Sequence, residues 1–170
     1  MINLLKLIEL LQESQVRFVI VGGFAVLAHG GSMVTEDMDL CCEFSGENLL
    51  KIQKAFAQIH AVHRMTPQRL PLRLNENNVK GLKNLYLSTD LGQVDLLGQI
   101  TGVGDFDEVF KNRVQVELNG KPCHLLSLDA LIRAKEAMGR PRDQQAVLQL
   151  KAIRKMQGLP ETKQRPESQV

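Results

Sequence analysis

The stretch from Phe18 to Cys42, FVIVGGFAVLAHGGSMVTEDMDLCC, constrains the fold more than any other part of the chain. Phe18 to Val21 is a short, β-branched apolar run of the kind that forms a buried strand. It stops at Gly22-Gly23, and Phe24 to His29 then reads as one or two turns of helix. Glycines at a strand-to-helix turn let the backbone approach a ligand closely, and the following helix offers unpaired N–H groups to an anion. A second strand begins at Asp37-Met38-Asp39-Leu40. Side chains alternate along a strand, so Asp37 and Asp39 share a face with Cα atoms roughly 6.5 Å apart. Two carboxylates so placed repel each other unless a cation lies between them. Hard oxygen donors of this kind suit Mg²⁺, which takes one or two carboxylates together with substrate phosphates.

The rest of the chain reads as elements packed around that unit. Leu4, Leu7, Ile8 and Leu11 recur at helical spacing between Ile2 and Glu13, giving a helix that covers one face of a sheet. Leu49, Leu50, Ile52, Ala55, Phe56 and Ile59 form the apolar stripe of a second helix from about Asn48. Ala61 to Lys80, with Pro67, Pro71 and the polar run Asn75-Glu76-Asn77-Asn78, is expected to be loop with short extended pieces. Leu82 to Thr89 alternates as a strand, and Asp90-Leu91-Gly92 is expected to be a three-residue turn returning Gln93 to Leu97 antiparallel. Asn119-Gly120 is the strongest hairpin signal, joining Arg113–Leu118 to Lys121–Leu125. Ser127 caps a helix to Met138 that Gly139 ends, and Pro141 starts another reaching about Gln157. Gly158 to Val170 has no apolar stripe and reads as a frayed tail. The expected class is α/β (α+β), a mixed β-sheet flanked by helices. Residues 1–126 form its core, residues 127–157 pack on it as C-terminal helices, and residues 158–170 are a flexible tail.

Gly22-Gly23, thirteen intervening residues and Asp37-Met38-Asp39 resemble the signature of the polymerase-β-like nucleotidyltransferase superfamily. That signature continues with a third carboxylate flanked by apolar residues, and Val94-Asp95-Leu96 matches it. The wording VGGFAVLAHG followed by T-x-D-x-D is similar to the bacterial minimal branch, which includes type IV toxin nucleotidyltransferases. Relatives there often carry an Arg two residues before that Thr, where this chain has Met33. The resemblance implies that Asp37, Asp39 and Asp95 hold two Mg²⁺ or Mn²⁺ ions and an NTP substrate, with Asp95 also a proton acceptor. It implies that Gly22 and Gly23 admit the triphosphate. Lys135-x4-Arg140-x-Arg142-Asp143 is similar to the ending of the minimal toxins, so Lys135 meets the triphosphate and Arg142 and Asp143 are structural or support it. Ser32 and Thr35 are loop hydroxyls able to bond a phosphate or to cap local backbone. His29 reads as a structural histidine near the site.

Composition enters where it separates functions. The net charge of +2 excludes nothing, but Arg64, Arg69, Arg73, Lys80 and Lys83 face the single acid Glu76. A second basic run lies between Arg133 and Lys155. Carboxylates flanked by basic segments suit a metal-bound polyphosphate, a nucleic acid, or simply solvated helix faces. Cys41, Cys42 and Cys123 form no metal or disulfide spacing and read as buried thiols of a cytoplasmic protein. The chain opens on an amphipathic helix and not a cleavable leader, and no apolar run reaches the ~20 residues of a membrane span. Three functions compete: a nucleotidyltransferase acting on a hydroxyl of RNA, protein or a small molecule; a non-catalytic partner in a toxin–antitoxin pair; and a nucleic-acid-binding module. A chain without Trp and with one Tyr has few platforms for stacking bases, which counts against the third.

Overall fold

Alternation along one strand sorts the protein into two layers. The computed structural model describes residues 3–159. In strand β2 (Asp37–Cys42), Met38, Leu40 and Cys42 point into one apolar core, whereas Cys41 belongs to a second core on the opposite face. Asp37 and Asp39 share that second face.

The elements follow in the order α1 (Leu4–Glu13), β1 (Phe18–Ile20), α2 (Gly22–Ala28), β2, α3 (Gly46–Phe56), a single 3-10 turn at Ala57–Ile59, and β3 (Val62–His63). Then come β4 (Asn84–Thr89), β5 (Gly92–Leu97), β6 (Gln99–Ile100), β7 (Gly104–Asp105), α4 (Phe106–Lys111), β8 (Arg113–Leu118), β9 (Lys121–Leu126), α5 (Leu128–Met138) and α6 (Pro141–Met156). Seven strands form one mixed sheet in the order β3-β4-β5-β2-β1-β9-β8, with β6 and β7 as a separate small ribbon. β2 runs parallel to β5 and antiparallel to β1, and β1 runs parallel to β9.

The first core packs Leu7, Ile8 and Leu11 of α1 and Leu49, Ile52 and Phe56 of α3 against the sheet. The second joins Val19, Val21, Cys41 and Leu126 to residues of α2, α4, α5 and α6. No residue of β3, β4 or β5 belongs to that second core, and beyond β2 this face carries Gln93, Asp95, Tyr86 and Ser88 alongside Leu97 and Val62. None of the described helices is long and apolar enough to cross a membrane.

The observed elements refine the expected ones. The two glycines do not precede α2 but form its first two residues. Capping by Ser45, whose Oγ accepts from the Asn48 amide, starts α3 at Gly46. The β4–β5 turn holds two residues, Asp90 and Leu91, because Gly92 already pairs with Thr89. The prolines of the 61–80 segment do not exclude pairing: His63 pairs with Leu87, and Val62 bridges both Ser88 and Pro71. Asn119 and Gly120 both take positive φ, as the Asn-Gly signal requires. From residue 160 on, the expected tail lies outside the described residues.

Asn48 ties β1, β2 and α3 together. Its amide oxygen accepts from the Arg17 N–H (2.8 Å), and its amide nitrogen donates to the carbonyls of Arg17 (3.0 Å) and Glu43 (2.8 Å). The side chain is buried, and removing it takes these bonds from the Arg17 N–H and from the Arg17 and Glu43 carbonyls. Asn48→Ala is expected to lower the unfolding free energy by about 2–3 kcal/mol in a urea titration. A loss below about 0.5 kcal/mol would mean that water replaces the side chain.

Candidate functional site

The register of three strands assembles the site. Asp39 stands opposite Asp95 across the parallel β2–β5 pair, and Asp95 stands opposite Tyr86 across β5–β4. The Arg64 amide donates to the Tyr86 carbonyl, which extends the row by one strand. Asp37 stands opposite Gln93 one step along. Adjacent strands lie about 4.8 Å apart, so three carboxylates occupy one patch of a single sheet face.

Their side chains are held by different partners. Asp95 accepts from Arg64 Nη2 at 2.6 Å, and Arg64 Nη1 bonds Gln93 Oε1 at 2.8 Å and, more loosely, Asp37 Oδ2 at 3.5 Å. The guanidinium also lies over the Tyr86 ring, 5.8 Å from its centroid. Asp39 turns the other way, its carboxylate packed against Gly22 at the start of α2. Among the described residues no group of three or more Asp, Glu, His or Cys is placed to hold a metal ion. The donors are hard oxygens on adjacent strands and so fit a divalent cation in kind. As arranged, Asp95 and Asp37 serve a guanidinium instead.

Burial gives Asp39 its character. Desolvation first, then the charges of Asp95 and Asp37, push its pKa up to about 6, against the opposing pull of Lys135 and the Gly23 amide. Burial also raises Asp95, with the Arg64 guanidinium pulling back. Lys135 is buried and donates to Asp143 Oδ1 at 3.2 Å, while Arg140 Nε donates to Asp143 Oδ2 at 2.6 Å. The two cations and their hydrogen bonds outweigh desolvation and lower the pKa of Asp143.

Two cavities flank the carboxylates. One, of about 310 Å³, is lined by Gly22, Asp39, Tyr86, Leu131, Lys135 and Met138. The other, of about 520 Å³, is lined by Phe24, Thr35, Glu36, Asp37 and Gln93.

The structure thus gathers Asp37, Asp39, Asp95, Gly22, Gly23 and Lys135. Gly22 sits at φ +65°, and a Cβ there would collide with the Asp39 carboxylate. A Cβ on Gly23 would come within 2.9 Å of Thr35 Cβ. Both glycines are therefore required by the protein's own side chains, before any ligand is considered. The Thr35 hydroxyl donates to the Asp37 carbonyl, and Ser32 is paired through its hydroxyl and amide to Gln149 of α6. His29 Nε2 bonds the Leu126 carbonyl at 2.8 Å, a structural tie. Arg64, Tyr86 and Gln93 were not legible as site residues, because only long-range pairing of β3 with β4 brings Arg64 to this face.

A family model described as aminoglycoside-2''-adenylyltransferase matches residues 3–151. Lincosamide antibiotic adenylyltransferase LnuA, solved with lincomycin bound, is similar over 88% of this chain and 95% of its own, with TM-score 0.59 and 14% identity. ANT(2'')-Ia in complex with adenylyl-2''-tobramycin is similar over 90% of this chain and 93% of its own, with TM-score 0.55 and 13% identity. An antigenic nucleotidyltransferase-like protein from Paracoccidioides brasiliensis is similar over 86% of this chain and 71% of its own, with TM-score 0.51 and 16% identity. At such identities these structures show the shared fold. No curated protein matches the sequence.

The raised pKa of Asp39 fixes a pH dependence. An acid whose folded pKa exceeds its unfolded value costs stability when ionised, and that cost is present above the folded pKa. In chelator-treated protein, Asp39→Asn is expected to be more stable than wild type above pH 6, by up to about 3 kcal/mol. The gap should close as the pH falls from 6 towards 4. Urea unfolding at several pH values measures it, and a gap independent of pH would contradict the assignment.

Proposed function

The chain belongs to the aminoglycoside-2''-adenylyltransferase family, within the polymerase-β-like nucleotidyltransferase superfamily, and is a nucleotidyltransferase; from that premise we propose an Mg²⁺-dependent transfer of an NMP group from an NTP to a hydroxyl of a small molecule. The observation that carries this reading is the carboxylate patch standing between two cavities, one per substrate. Small-molecule acceptors are favoured because LnuA and ANT(2'')-Ia were solved with lincomycin and adenylyl-tobramycin.

In this reading the nucleotide occupies the cavity beside Gly22 and Lys135. Lys135 supplies a buried positive charge to the triphosphate, and Asp143, bonded to both Lys135 and Arg140, keeps its ammonium in place. The apolar wall of Leu131 and Met138 receives the base. The acceptor lies on the other side, next to Asp37 and Gln93. Asp95, whose pKa burial raises, takes the proton of the attacking hydroxyl. The α-phosphorus–oxygen bond to that hydroxyl forms as the bond to the leaving pyrophosphate breaks. Asp37, Asp39 and Asp95 are the residues proposed to hold the divalent ions, which when bound neutralise charge on the phosphate oxygens and orient the hydroxyl.

The test incubates the protein with each α-labelled NTP, Mg²⁺ and separate small-molecule, RNA and protein fractions of a cell extract. Label is expected in the small-molecule fraction, with at least a 100-fold loss in Asp39→Asn. Lys135→Met is expected to weaken NTP binding about tenfold in calorimetry. Label in the RNA or protein fraction would reassign the acceptor. No label from any NTP, with binding of a partner unchanged by Asp39→Asn, would favour a non-catalytic toxin–antitoxin role.

A further inference from the structure

The guanidinium of Arg64 occupies oxygens that the proposed reaction assigns to a cation. Arg64 is fixed by three independent features: its amide bond to the Tyr86 carbonyl, its Nη1 bond to Gln93, and the Tyr86 ring beneath it. From there it reaches across β4 to Asp95 Oδ1 at 2.6 Å and towards Asp37 Oδ2 at 3.5 Å. The pair is not a screened surface bridge, since the side chain of Arg64 is 17% exposed and that of Asp95 is 13% exposed. Arginine keeps its charge throughout the accessible pH range, so it does not vacate the site by losing a proton.

We propose that Arg64 is a built-in counter-cation of the carboxylate face, and that a divalent ion engages Asp95 and Asp37 only by displacing its guanidinium. The proposal rests on the reading that these carboxylates hold metal. It makes Arg64 a positioning residue: it keeps Asp95 aligned in the metal-free protein and lowers the affinity for a free divalent ion. Two states share the same oxygens, so the apparent dissociation constant rises in inverse proportion to the fraction of protein in which the guanidinium has left. A divalent ion arriving with a nucleoside triphosphate brings anionic oxygens that give the freed guanidinium a new partner. The arrangement therefore favours the metal–nucleotide complex over bare metal. Lys135 cannot play this part, because its ammonium is bonded to Asp143 and not to the carboxylate row.

The experiment titrates Mn²⁺ into nucleotide-free protein by calorimetry, for wild type, Arg64→Met and Lys135→Met. Methionine preserves the stem over Tyr86 and removes the charge. Arg64→Met is expected to bind Mn²⁺ at least about tenfold more tightly than wild type, and to gain clearly more than Lys135→Met, whose ammonium acts on Asp39 only through its field and occupies no oxygen of Asp37 or Asp95. Equal or weaker binding by Arg64→Met, with wild type binding, overturns the role of Arg64 and leaves the metal reading intact. Equal tightening by both variants overturns displacement in favour of general electrostatics. Binding by none of the three overturns the metal reading and this proposal together. NMR of the wild-type guanidinium guards against a variant that fails to fold. Its pinned Nη–H signals are expected to collapse to an averaged resonance as Mg²⁺ saturates the site, and signals unchanged at saturation overturn the proposal.

Discussion

Repulsion among three carboxylates on one sheet face is the constraint around which the site is built. Asp39 and Asp95 are register partners on parallel strands and Asp37 lies two residues along, so backbone pairing alone sets them within a few ångströms. Each is relieved in its own way. Asp95 has Arg64, Asp39 has the Gly23 amide and the field of Lys135, and Asp37 remains the most open to water. Burial first, and then the repulsion left unrelieved, raise the pKa of Asp39.

The two flanking cations are attached by different physics, and the difference gives the site a direction. Lys135 leaves α5 and meets Asp143 and Arg140 at the start of α6, across the left-handed Gly139. Asp143 is fully buried, so this ammonium is anchored whether or not a substrate is present. Arg64 follows a two-residue strand and has no carboxylate partner in the hydrogen bonds described other than those of the site. One side of the patch thus carries a positive charge paired outside the carboxylate row, and the other a charge whose acidic partners are the row itself.

How much of this the sequence disclosed depends on the range of the interaction. Asn119-Gly120, Ser127 and Pro141 act within a few residues, and each hairpin or cap stands where its signal lies. The proximity of Asp95 to Asp37 and Asp39 followed from the resemblance to a known signature, since nothing local to Val94-Asp95-Leu96 names its neighbour. Gly22 was visible as a special position, but for a different reason. Its freedom from a Cβ makes room for Asp39, seventeen residues away in sequence. Arg64 was hidden by Pro67 and Pro71, which mark its segment as loop. Neither proline removes a bond that β3 needs, because the pairing of Val62 and His63 with β4 ends before them.

Register protects the site from a distance. A slip of one residue between β4 and β5 would turn Asp95 into the core occupied by Val94 and Leu96 and bring an apolar side chain out beside Asp39. The two-residue turn forbids that slip. Gly92 takes φ +123°, the Thr89 hydroxyl donates to the Gly92 carbonyl at 2.8 Å, and the Leu91 amide donates back to that hydroxyl at 3.1 Å. The Leu91 carbonyl then accepts from the Asn3 amide, and Asp90 pairs with His60, so the turn is held from outside the hairpin as well. Asp95 is thus positioned by bonds three to six residues from its own carboxylate.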